Sequence, residues 1–454
     1  MARGKKKETL TPEERLQAAL VPASEQPYPV PENWCWTYLG CVSDVVTGGT
    51  PSKKHPEYYG GLFPFFKPTD LDFGRHVVEA SEYLTNEGKI VSRIIPEQST
   101  AVCCIGSIGK CGFLEVEGTT NQQINAAIPK FNPLFLYYYC NTHYFNEELW
   151  SKASATTISI VNKSKMESCV FPLPPLPEQQ RIVNRIESLF AKLDEAKQKA
   201  QDALDNFETR KAAILHRAFT GELTAQWRKE HDVGMESWEE KTINDIGDVK
   251  GGKRIPKGME LTYENTGHPY LKAGNLKQGT VIASGMMYVT DEILECIKNY
   301  TVSAGDVYIT NVGACIGDCG IIPPEYDGAN LTENAVKITN LKCNNKWLSY
   351  YLSGSSVQQN IKSMIASATL GKLSIANIKK IELNIPTSLD EQIEIVCILD
   401  NLFAKEQQAK DAAEGVLEQI DLIKKAILAR AFRGELGTND PSEESAVELL
   451  KQVL

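Results

Sequence analysis

The chain has 454 residues, more than one hydrophobic core usually holds, and its 42% hydrophobic and 23% charged residues are typical of a globular protein. Its formal net charge of −10 argues against a protein that binds nucleic acid with its whole surface, although it is compatible with local basic loops. No apolar stretch approaches the roughly 20 residues of a membrane helix, and the basic N-terminus lacks the apolar segment of a secretory signal. We therefore expect two globular domains in the cytoplasm, with cysteines kept as thiols.

The twelve cysteines form no C-x-x-C pair, and none of the six histidines stands at zinc-finger spacing from them. Two pairs, Cys103 with Cys104 and Cys315 with Cys319, are candidates for metal ligands or a redox couple. Burial as small apolar side chains in a reducing compartment is the favoured interpretation. We therefore expect no metal site.

The first part of the chain predicts an N-terminal arm over residues 1–30 and a globular domain over residues 31–176. The segment AVCCIGSIGKCGFLEV, residues 101–116, is rich in β-formers and punctuated by glycine, which predicts strands joined by tight turns. Residues 133–150 have a helical pattern instead. The domain is therefore predicted to mix α and β structure.

The rest of the chain repeats this order of elements. A proline-rich stretch, FPLPPLPEQQ, leads into a long helix, and the second domain again has a glycine-punctuated β-rich run followed by a helical pattern. The predicted segments are a first long helix over 177–223, a linker over 224–237, a second domain over 238–387, a second long helix over 388–436 and an acidic tail over 437–454. Ser388 or Asp390 is suited to cap the start of the second helix.

The two long helices repeat each other in sequence. AILHRAFTGEL at residues 213–223 returns as AILARAFRGEL 213 residues later, and the match runs without a gap from Glu178 to Leu223 with about half of the positions identical. Apolar residues recur at alternating spacings of three and four in both copies, which is typical of a coiled coil. The predicted seam contains Ile182, Ile186, Leu189, Leu193 and Phe207 in the first copy and Ile395, Leu399, Leu402 and Ile420 in the second. Glu406 interrupts the second seam at the position that Leu193 has in the first.

A helix of about 40 residues reaches on the order of 60 Å, which is too long for burial in one small domain. The nearest available partner is the other copy, and a globular domain between the copies lets them pair antiparallel. Two unrelated amphipathic helices, each packed on its own domain, are the alternative, which the shared sequence disfavours. Gly221 and Gly434 are suited to cap the C-terminal ends.

Weaker matches extend the repeat into the domains. PFFKPTDLDFG, from residue 64, aligns with PYLKAGNLKQG, from residue 269, and GSIGKCG aligns with ACIGDCG. On the same basis Asn121 aligns with Asn330, and VVTGGTPSKK aligns with DVKGGKRIPK, so that Gly48 stands opposite Gly251. The chain is thus predicted to be one unit of roughly 200 residues, duplicated. Only the helices match closely, as expected if the domains are free to recognise different things.

No signature of catalysis is visible in the sequence. A nucleic-acid methyltransferase would show a glycine-rich cofactor loop and an Asn/Asp-Pro-Pro-aromatic motif, and NPLF at residues 132–135 lacks the second proline. There is also no G-x-x-x-x-G-K-[ST] phosphate loop, no H-E-x-x-H, no G-x-S-x-G and no acidic cluster of nuclease type. We therefore predict no catalytic, cofactor-binding or metal-binding residues in this chain.

What remains is a set of loop residues suited to DNA. Glycines expose backbone N–H groups beside cations, and amide side chains can pair with base edges. The predicted DNA contacts are Gly48, Gly49, Thr50, Lys53, Lys54, Lys67, Lys110, Asn121, Gln122 and Gln123 in the first domain and Lys250, Gly251, Gly252, Lys253, Arg254, Lys257, Lys272, Asn275 and Asn330 in the second. A plain turn, or a solvated surface side chain, is the alternative for each of them.

The order of these parts resembles a known family. Two variable domains alternate with two near-identical helices, PLPPLPEQQRIV opens the first helix, and AFTGELTAQWR closes it. These features resemble the specificity subunit of Type I restriction-modification systems over essentially the whole chain. The opening of the second helix, IPTSLDEQIEIV, departs from the pattern because it lacks the proline cluster, which leaves the hinge there undefined.

The resemblance implies an α+β fold with two target recognition domains, each recognising one half of a split, asymmetric duplex DNA target. It implies that the helices form an antiparallel coiled coil, which spaces the domains and docks two modification (methyltransferase) subunits. Restriction subunits, with motor and endonuclease activity, complete the implied complex. An approximate two-fold arrangement with the N-terminal arm near the C-terminal helix follows as well.

The same resemblance implies a chain without catalysis or cofactor of its own, since S-adenosylmethionine, ATP and Mg belong to the partner subunits. Two other classes of function stay open at this stage. One is a self-contained DNA methyltransferase or endonuclease, against which the missing signatures count. The other is a coiled-coil scaffold that binds only protein, from which specific binding to duplex DNA would distinguish this chain.

Overall fold

The computed structural model describes residues 11–154, 159–366 and 371–454. The chain separates into two compact units, of which unit 1 consists of residues 1–200 with 415–454 and unit 2 of residues 201–414. Each unit therefore takes its helical part from both copies of the sequence repeat. None of the described helices is long and apolar enough to cross a membrane.

The elements of the first half of the chain follow the predicted mixture of helix and strand. The helices are α1 (Pro12–Ala19), α2 (Leu39–Val42), α3 (Asn86–Ile90), α4 (Pro133–Cys140), α5 (His143–Lys152), α6 (Lys163–Glu167) and α7 (Leu176–Asp205). The strands are β1 (Cys35–Tyr38), β2 (Ser43–Thr47), β3 (Tyr59–Phe66), β4 (Glu82–Leu84), β5 (Ser99–Cys103), β6 (Cys111–Leu114), β7 (Thr119–Thr120), β8 (Ile124–Pro129) and β9 (Val170–Leu173).

The second half repeats the mixture and adds a C-terminal helix. The helices are α8 (Phe207–Phe219), α9 (Ala225–Glu230), α10 (Ile243–Ile246), α11 (Asp291–Ile297), α12 (Asn345–Ser353), α13 (Ser355–Ala366), α14 (Ile375–Lys379), α15 (Leu389–Ala431) and α16 (Ala446–Val453). The strands are β10 (Trp238–Thr242), β11 (Asp248–Gly251), β12 (Pro269–Leu271), β13 (Leu276–Lys277), β14 (Thr280–Val281), β15 (Met287–Tyr288), β16 (Val307–Thr310), β17 (Cys319–Ile321), β18 (Asn330–Leu331), β19 (Ala335–Thr339) and β20 (Glu382–Pro386).

The two units share one sheet topology. Unit 1 has an antiparallel four-stranded sheet in the order β2-β8-β5-β6, a three-stranded sheet in the order β4-β3-β7, and the pair β1-β9. Unit 2 has the same three assemblies as β11-β19-β16-β17, β15-β12-β18 and β10-β20, and adds the hairpin β13-β14. The parallel pairing between strands of the three-stranded sheet also matches, because β3 runs parallel to β7 and β12 to β18. The predicted duplication therefore holds at the level of strand order.

The core of each unit joins a domain to helix segments from both copies. In unit 1 the aromatic side chains of α4, which include the buried Phe135 and Tyr139, pack with Phe432 at the end of the second copy. In unit 2 the buried Trp347 of α12 makes an edge contact with Phe219 at the end of the first copy. The repeated A-F-x-G-E-L segment is thus the piece that closes each core.

The long helices pair antiparallel within each unit, as predicted. In unit 1 Lys424 of α15 reaches Asp194 of α7 at 2.5 Å and lies 5.0 Å from the ring of Phe190. In unit 2 Lys211 of α8 lies over Phe403 of α15, whereas Lys410, later in α15, lies over the earlier Phe207. The seam positions Ile182, Ile186, Ile395, Leu399 and Ile420 are buried, and Leu189, Leu193, Phe207 and Leu402 are half-buried.

The first helix differs from the prediction in one respect, because it is divided at Asn206 into α7 and α8. The Asn206 side chain donates a 2.7 Å hydrogen bond to the carbonyl of Asp202, which competes with the regular backbone pattern. Glu406, the residue that interrupts the second seam, is paired within unit 2, because its carboxylate accepts a 2.8 Å hydrogen bond from Arg210. Both copies end at a glycine with positive φ, +79° at Gly221 and +73° at Gly434.

A buried Glu-Gln pair at the start of each long helix fixes the helix to its domain. In unit 1 Gln179 accepts from the backbone N–H of Asn132 at 3.2 Å and donates to Pro174 at 3.0 Å. In unit 2 Gln392 accepts from the N–H of Asn344 and donates to Pro386, both at 2.8 Å. The identical residues of the repeat therefore make identical contacts.

The glutamates of these pairs, Glu178 and Glu391, are fully buried and accept from the indole N–H of the tryptophan at the start of the domain. Trp34 donates at 2.7 Å to Glu178, and Trp238 at 3.1 Å to Glu391. Arg228 adds a 2.8 Å salt bridge to Glu391. Buried carboxylates with such partners explain why an acidic residue recurs at the start of an otherwise apolar helix face.

The C-terminal segment is part of unit 1. Ala446 and Leu450 of α16 are buried in the same core as Ala19 of the N-terminal arm. Arg181 binds Glu443 through two 2.8 Å hydrogen bonds, so the acidic stretch predicted as a tail is anchored on α7. The N-terminal arm therefore lies beside the end of the second helix copy, as the family resemblance implies.

Candidate nucleic-acid interface

The predicted glycine pair of unit 1 lies at the end of β2. Gly48 donates its N–H to Ile124 at 2.9 Å, and Gly49 donates to Thr120 at 2.8 Å. A Cβ atom on Gly48 would lie 2.1 Å from the carbonyl oxygen of Asn121, whereas a Cβ on Gly49 would meet open space. Only glycine at position 48 therefore lets this strand end approach the loop that follows β7.

Unit 2 has the same geometry one residue away from the position that the sequence alignment indicated. Gly252 donates to Ala335 at 3.2 Å and Lys253 to Leu331 at 2.8 Å, and a Cβ on Gly252 would lie 2.0 Å from the carbonyl oxygen of Thr332. Gly252 is thus the counterpart of Gly48, and Lys253 is the counterpart of Gly49. The alignment of Gly48 with Gly251 is wrong by one residue, because strand pairing fixes the register and a repeated G-G does not.

The asparagine alignment needs a similar correction. β7 pairs Thr120 with Phe66, and β18 pairs Leu331 with Leu271, so the residue that follows Thr120, Asn121, matches Thr332. Both side chains cap the next turn, since the backbone N–H two residues later donates to Asn121 at 3.0 Å and to Thr332 at 3.4 Å. Asn330 therefore matches a strand residue rather than Asn121.

These facing segments are called the edge loops below. The edge loops are residues 48–50 and 121–123 in unit 1 and residues 252–254 and 332–334 in unit 2. One side-chain contact crosses them at matched positions in each unit: Thr50 donates to Gln122 at 2.5 Å, and Arg254 donates to Glu333 at 2.5 Å. The same geometry thus carries a neutral contact in unit 1 and an ion pair in unit 2.

The ion pair in unit 2 changes the electrostatics of its edge loops. Partial burial raises the pKa of the Glu333 carboxyl, but the hydrogen bond from Arg254 and those from its own backbone and Thr332 outweigh it and hold that pKa below its usual value. The Arg254 side chain is 76% exposed and carries its charge to the surface. Unit 2 therefore presents a fixed cation and carboxylate where unit 1 presents a hydroxyl and an amide.

The structure brings some of the predicted cations to the edge loops and ties others to carboxylates. Lys53 and Lys54 are exposed on the segment after Thr50, and Lys257 is exposed after Arg254. Lys253 lies 5.6 Å from the ring of Tyr300. The remaining predicted lysines have these surroundings: Lys67 pairs with Glu82 at 2.9 Å, Lys110 pairs with Asp72 at 2.6 Å, Lys250 is exposed 3.7 Å from Asp248, and Lys272 is half-buried.

Three of the predicted amide side chains are buried. Asn275 is 2% exposed and donates to Ile282 and Ser284 at 3.1 and 3.2 Å, and Asn330 is 1% exposed and donates to Ile297 at 3.0 Å. Their amide groups hold the fold of unit 2 together and do not reach a surface where a base edge could be contacted. Asn121 is 8% exposed and donates to Gln123, which leaves Gln122 and Gln123 as the accessible amides of unit 1.

Two residues near the edge loops were missed by the sequence argument. Arg93, on the segment between α3 and β5, is exposed and donates from Nη1 to the carbonyl of Thr47 at 2.6 Å. Tyr300, after α11, is 38% exposed beside Lys253. Neither belongs to a motif, and only the pairing of distant strands brings them to the edge loops.

The cysteines show no arrangement typical of a metal site. All twelve are free, and burial raises the pKa of Cys104 and Cys319 to about 12. No group of three or more histidine, cysteine, aspartate or glutamate side chains is placed to hold a metal ion in the parts of the chain that the structure describes.

Comparison with known proteins agrees with this fold. Residues 31–204 and 235–414 match the family model of the Type I restriction modification DNA specificity domain. The EcoKI specificity subunit of Escherichia coli is 21% identical over 93% of this chain and 95% of its own length. The MjaIX specificity subunit of Methanocaldococcus jannaschii is 24% identical over 79% of this chain and 84% of its own length.

Solved structures have the same fold. The HsdS subunit from Thermoanaerobacter tengcongensis superposes with a TM-score of 0.64 at 20% identity, over 91% of this chain and 100% of that one. A chain from a type I R-M system, described for its complex assembly and conformational transition, gives a TM-score of 0.67 at 19% identity over 90% of this chain.

Two family domains on paired helices define a DNA-specificity component, a class of protein that selects sequence and leaves catalysis to other subunits. The chain belongs to the Type I restriction-modification DNA specificity family. The predicted family and the predicted role in DNA sequence recognition are thereby confirmed, and the interpretations as a lone enzyme or a protein-only scaffold are disfavoured.

Proposed function

We propose that each unit recognises one half of a bipartite duplex DNA target through its edge loops. The observation that carries this proposal is the contrast at matched positions: the two units share strand order and the close glycine approach, yet Thr50–Gln122 in one is Arg254–Glu333 in the other. A shared scaffold with exchanged surface chemistry is expected of two domains that recognise different half-sites.

The paired helices supply the second part of the proposal. They are the segment in which the two copies stay alike, which supports a role as a spacer between the half-sites and as a docking site for two modification subunits. S-adenosylmethionine would then bind the modification subunits, and ATP and Mg would serve the restriction subunits. This chain would hold no cofactor of its own.

The test is single-molecule sequencing of modified bases in DNA from cells that express this chain with its modification subunit, compared with the modification subunit alone. A split motif that requires this chain is the expected result. The double substitution T50R/Q122E transplants the unit 2 contact into unit 1 and should alter one half of the motif, while R254T/E333Q should alter only the other half.

Two results would overturn the proposal. If an assembled complex gave no motif, the scaffold interpretation would replace DNA recognition. If either double variant changed both halves, or neither, although the variant complex still assembled and methylated DNA, the edge loops would not be the recognition surface.

A further inference from the structure

A hydrogen bond to the backbone of β2 holds the Arg93 side chain next to the edge loops of unit 1. Its Nη1 donates to the carbonyl of Thr47 at 2.6 Å, and Thr47 immediately precedes Gly48. The guanidinium group has five N–H donors in a planar fork, so this contact leaves most of them available. The backbone contact thus fixes the position of an exposed guanidinium group without neutralising it.

The absence of a carboxylate partner distinguishes Arg93 from Arg75, the other arginine of residues 31–176, which pairs with Glu115 at 2.7 Å. Several lysines of the domain are paired as well, as with Lys89 and Glu117 at 2.6 Å. Across the described ranges, no aspartate or glutamate lies within salt-bridge distance of Arg93. Its charge is therefore available to an external acceptor.

The edge loops of unit 1 also leave donors exposed. The amide oxygen of Gln122 accepts from Thr50, and that of Gln123 accepts from Asn121 at 3.0 Å, so the NH₂ groups of both glutamines remain. A surface of N–H donors is complementary to hydrogen-bond acceptors. In duplex DNA those are the phosphate oxygens and, among base edges, above all the O6 and N7 atoms of guanine in the major groove.

Unit 2 has a different side chain at the matching position. Ile95 donates to Gly118 at 2.8 Å, and Val302 donates to Ala329 at 2.8 Å, which places Ile95 and Val302 at the same point of the fold. Two residues earlier in each unit stand Arg93 and Tyr300. Arg93 and Tyr300 thus occupy the same place beside the edge loops with different side chains. We expect such a position to serve recognition rather than folding.

We propose that Arg93 is a specificity-determining residue, which pairs with a guanine in the half-site recognised by unit 1. This inference rests on the proposed function and names one residue of its surface. The bidentate pairing of arginine with guanine O6 and N7 gives the contact its selectivity, because no other base presents two acceptors in that arrangement.

The experiment compares R93Q with K53A, a matched control that removes an exposed cation beside the same edge loop. The full complex with its modification subunit is used, and both the modified motif and the affinity for duplexes changed one base at a time are measured. For R93Q we expect one position in one half to lose its selectivity for guanine, becoming degenerate or shifting toward adenine, which an amide side chain can pair with, while cognate affinity falls on the order of 10- to 100-fold and the other half is unchanged. K53A should weaken binding to all sequences about equally and reduce the salt slope by about 1.

Two results would overturn the assignment while leaving the proposed function in place. R93Q could behave like K53A, which would show a phosphate contact, or it could leave the motif and the affinities unchanged. A wild-type complex without any motif would instead overturn the proposed function and this inference with it. Amide-exchange protection of β2 and β8 in R93Q checks that the unit stays folded, and R93K, which keeps the charge but loses the fork, should restore affinity more than selectivity.

Discussion

The salt bridge between Arg228 and Glu391 makes the sharpest prediction about stability. The Glu391 side chain is fully buried and accepts from Arg228 at 2.8 Å, from Thr224 at 2.9 Å and from Trp238 at 3.1 Å. Arg228, only 8% exposed, also donates to the carbonyl of Gly221 at 2.6 Å. This cluster joins the start of α15 to β10 and to the segment that follows α8.

The substitution R228M leaves the Glu391 carboxylate buried with two neutral donors. Removing one partner of a buried ion pair costs about 3–5 kcal/mol of unfolding free energy, because the other charge stays desolvated. The double variant R228M/E391Q removes that charge and keeps an oxygen to accept from Trp238 and Thr224. The unfolding free energy of this double variant should be only about 1–2 kcal/mol lower than that of the wild type. This difference corresponds to the lost hydrogen bond to Gly221 and the lost charged contact.

The assay is denaturant-dependent hydrogen exchange of the full chain, with the amides of β10 and β20 reporting unit 2 and those of β1 and β9 reporting unit 1. R181M in unit 1 is the control, since the Arg181 side chain is 38% exposed and solvent screens its contacts with Glu443 and the carbonyl of Thr438, so their loss should cost less than the loss of the buried pair. The reasoning is refuted if R228M destabilises unit 2 by less than R181M destabilises unit 1, or if E391Q fails to rescue R228M.

Three further predictions concern packing, helix pairing and thiol reactivity. G48A should destabilise unit 1 by about 1–3 kcal/mol because its Cβ would lie 2.1 Å from a carbonyl oxygen, whereas G49A should be neutral, and equal unfolding midpoints would contradict this. R210I should lower the stability of unit 2 by about 1–3 kcal/mol, because it leaves Glu406 unpaired. R210I/E406L, which has the apolar residues found at the matching positions of the other copy, should recover that stability in thermal unfolding. At pH 8 iodoacetamide should alkylate the folded chain fastest at the exposed Cys296 and Cys397. Cys104 should stay protonated and unmodified, because burial raises its pKa to about 12. Fast labelling of Cys104 would count against its burial.

The helical part of the molecule was predictable from sequence because its signal is local and periodic. Ile182, Ile186, Ile395 and Leu399 recur at the spacing of one helix face, and all four are buried. The one exception to the seam, Glu406, could not be interpreted alone, since its partner Arg210 lies almost 200 residues away in the sequence. A pattern within one helix shows where an irregular residue stands but not what compensates for it.

The edge loops were predicted only in outline, because their register depends on strand pairing between distant segments. The loop between β16 and β17 is one residue longer than the loop between β5 and β6. The number of residues that separates matching positions of the two domains therefore changes across this hairpin. Glycine and asparagine recur often enough to align out of register, which is how Asn330, a buried strand residue, was matched with Asn121. Arg93 had no local signal at all.

Repeated positions of two kinds behave differently in the two units. Glu178 and Glu391 accept from the matching tryptophan, and Gln179 and Gln392 bind the same two backbone groups of their domains, so identity there reflects one shared way of fixing a helix to a domain. The edge-loop contacts differ, but they differ as pairs, since a hydroxyl faces an amide in unit 1 and a guanidinium faces a carboxylate in unit 2.

The two residues of an edge-loop contact should therefore be replaced together if DNA binding is to be kept. Q122E alone would place a carboxylate beside Thr50 without a cation, next to the phosphates that Lys53 and Lys54 would contact, and like-charge repulsion should weaken binding to every DNA sequence. T50R/Q122E restores neutrality and should recover affinity, with the selectivity of one half-site changed. If Q122E bound as tightly as the wild type, the edge loops of unit 1 would not face the DNA backbone.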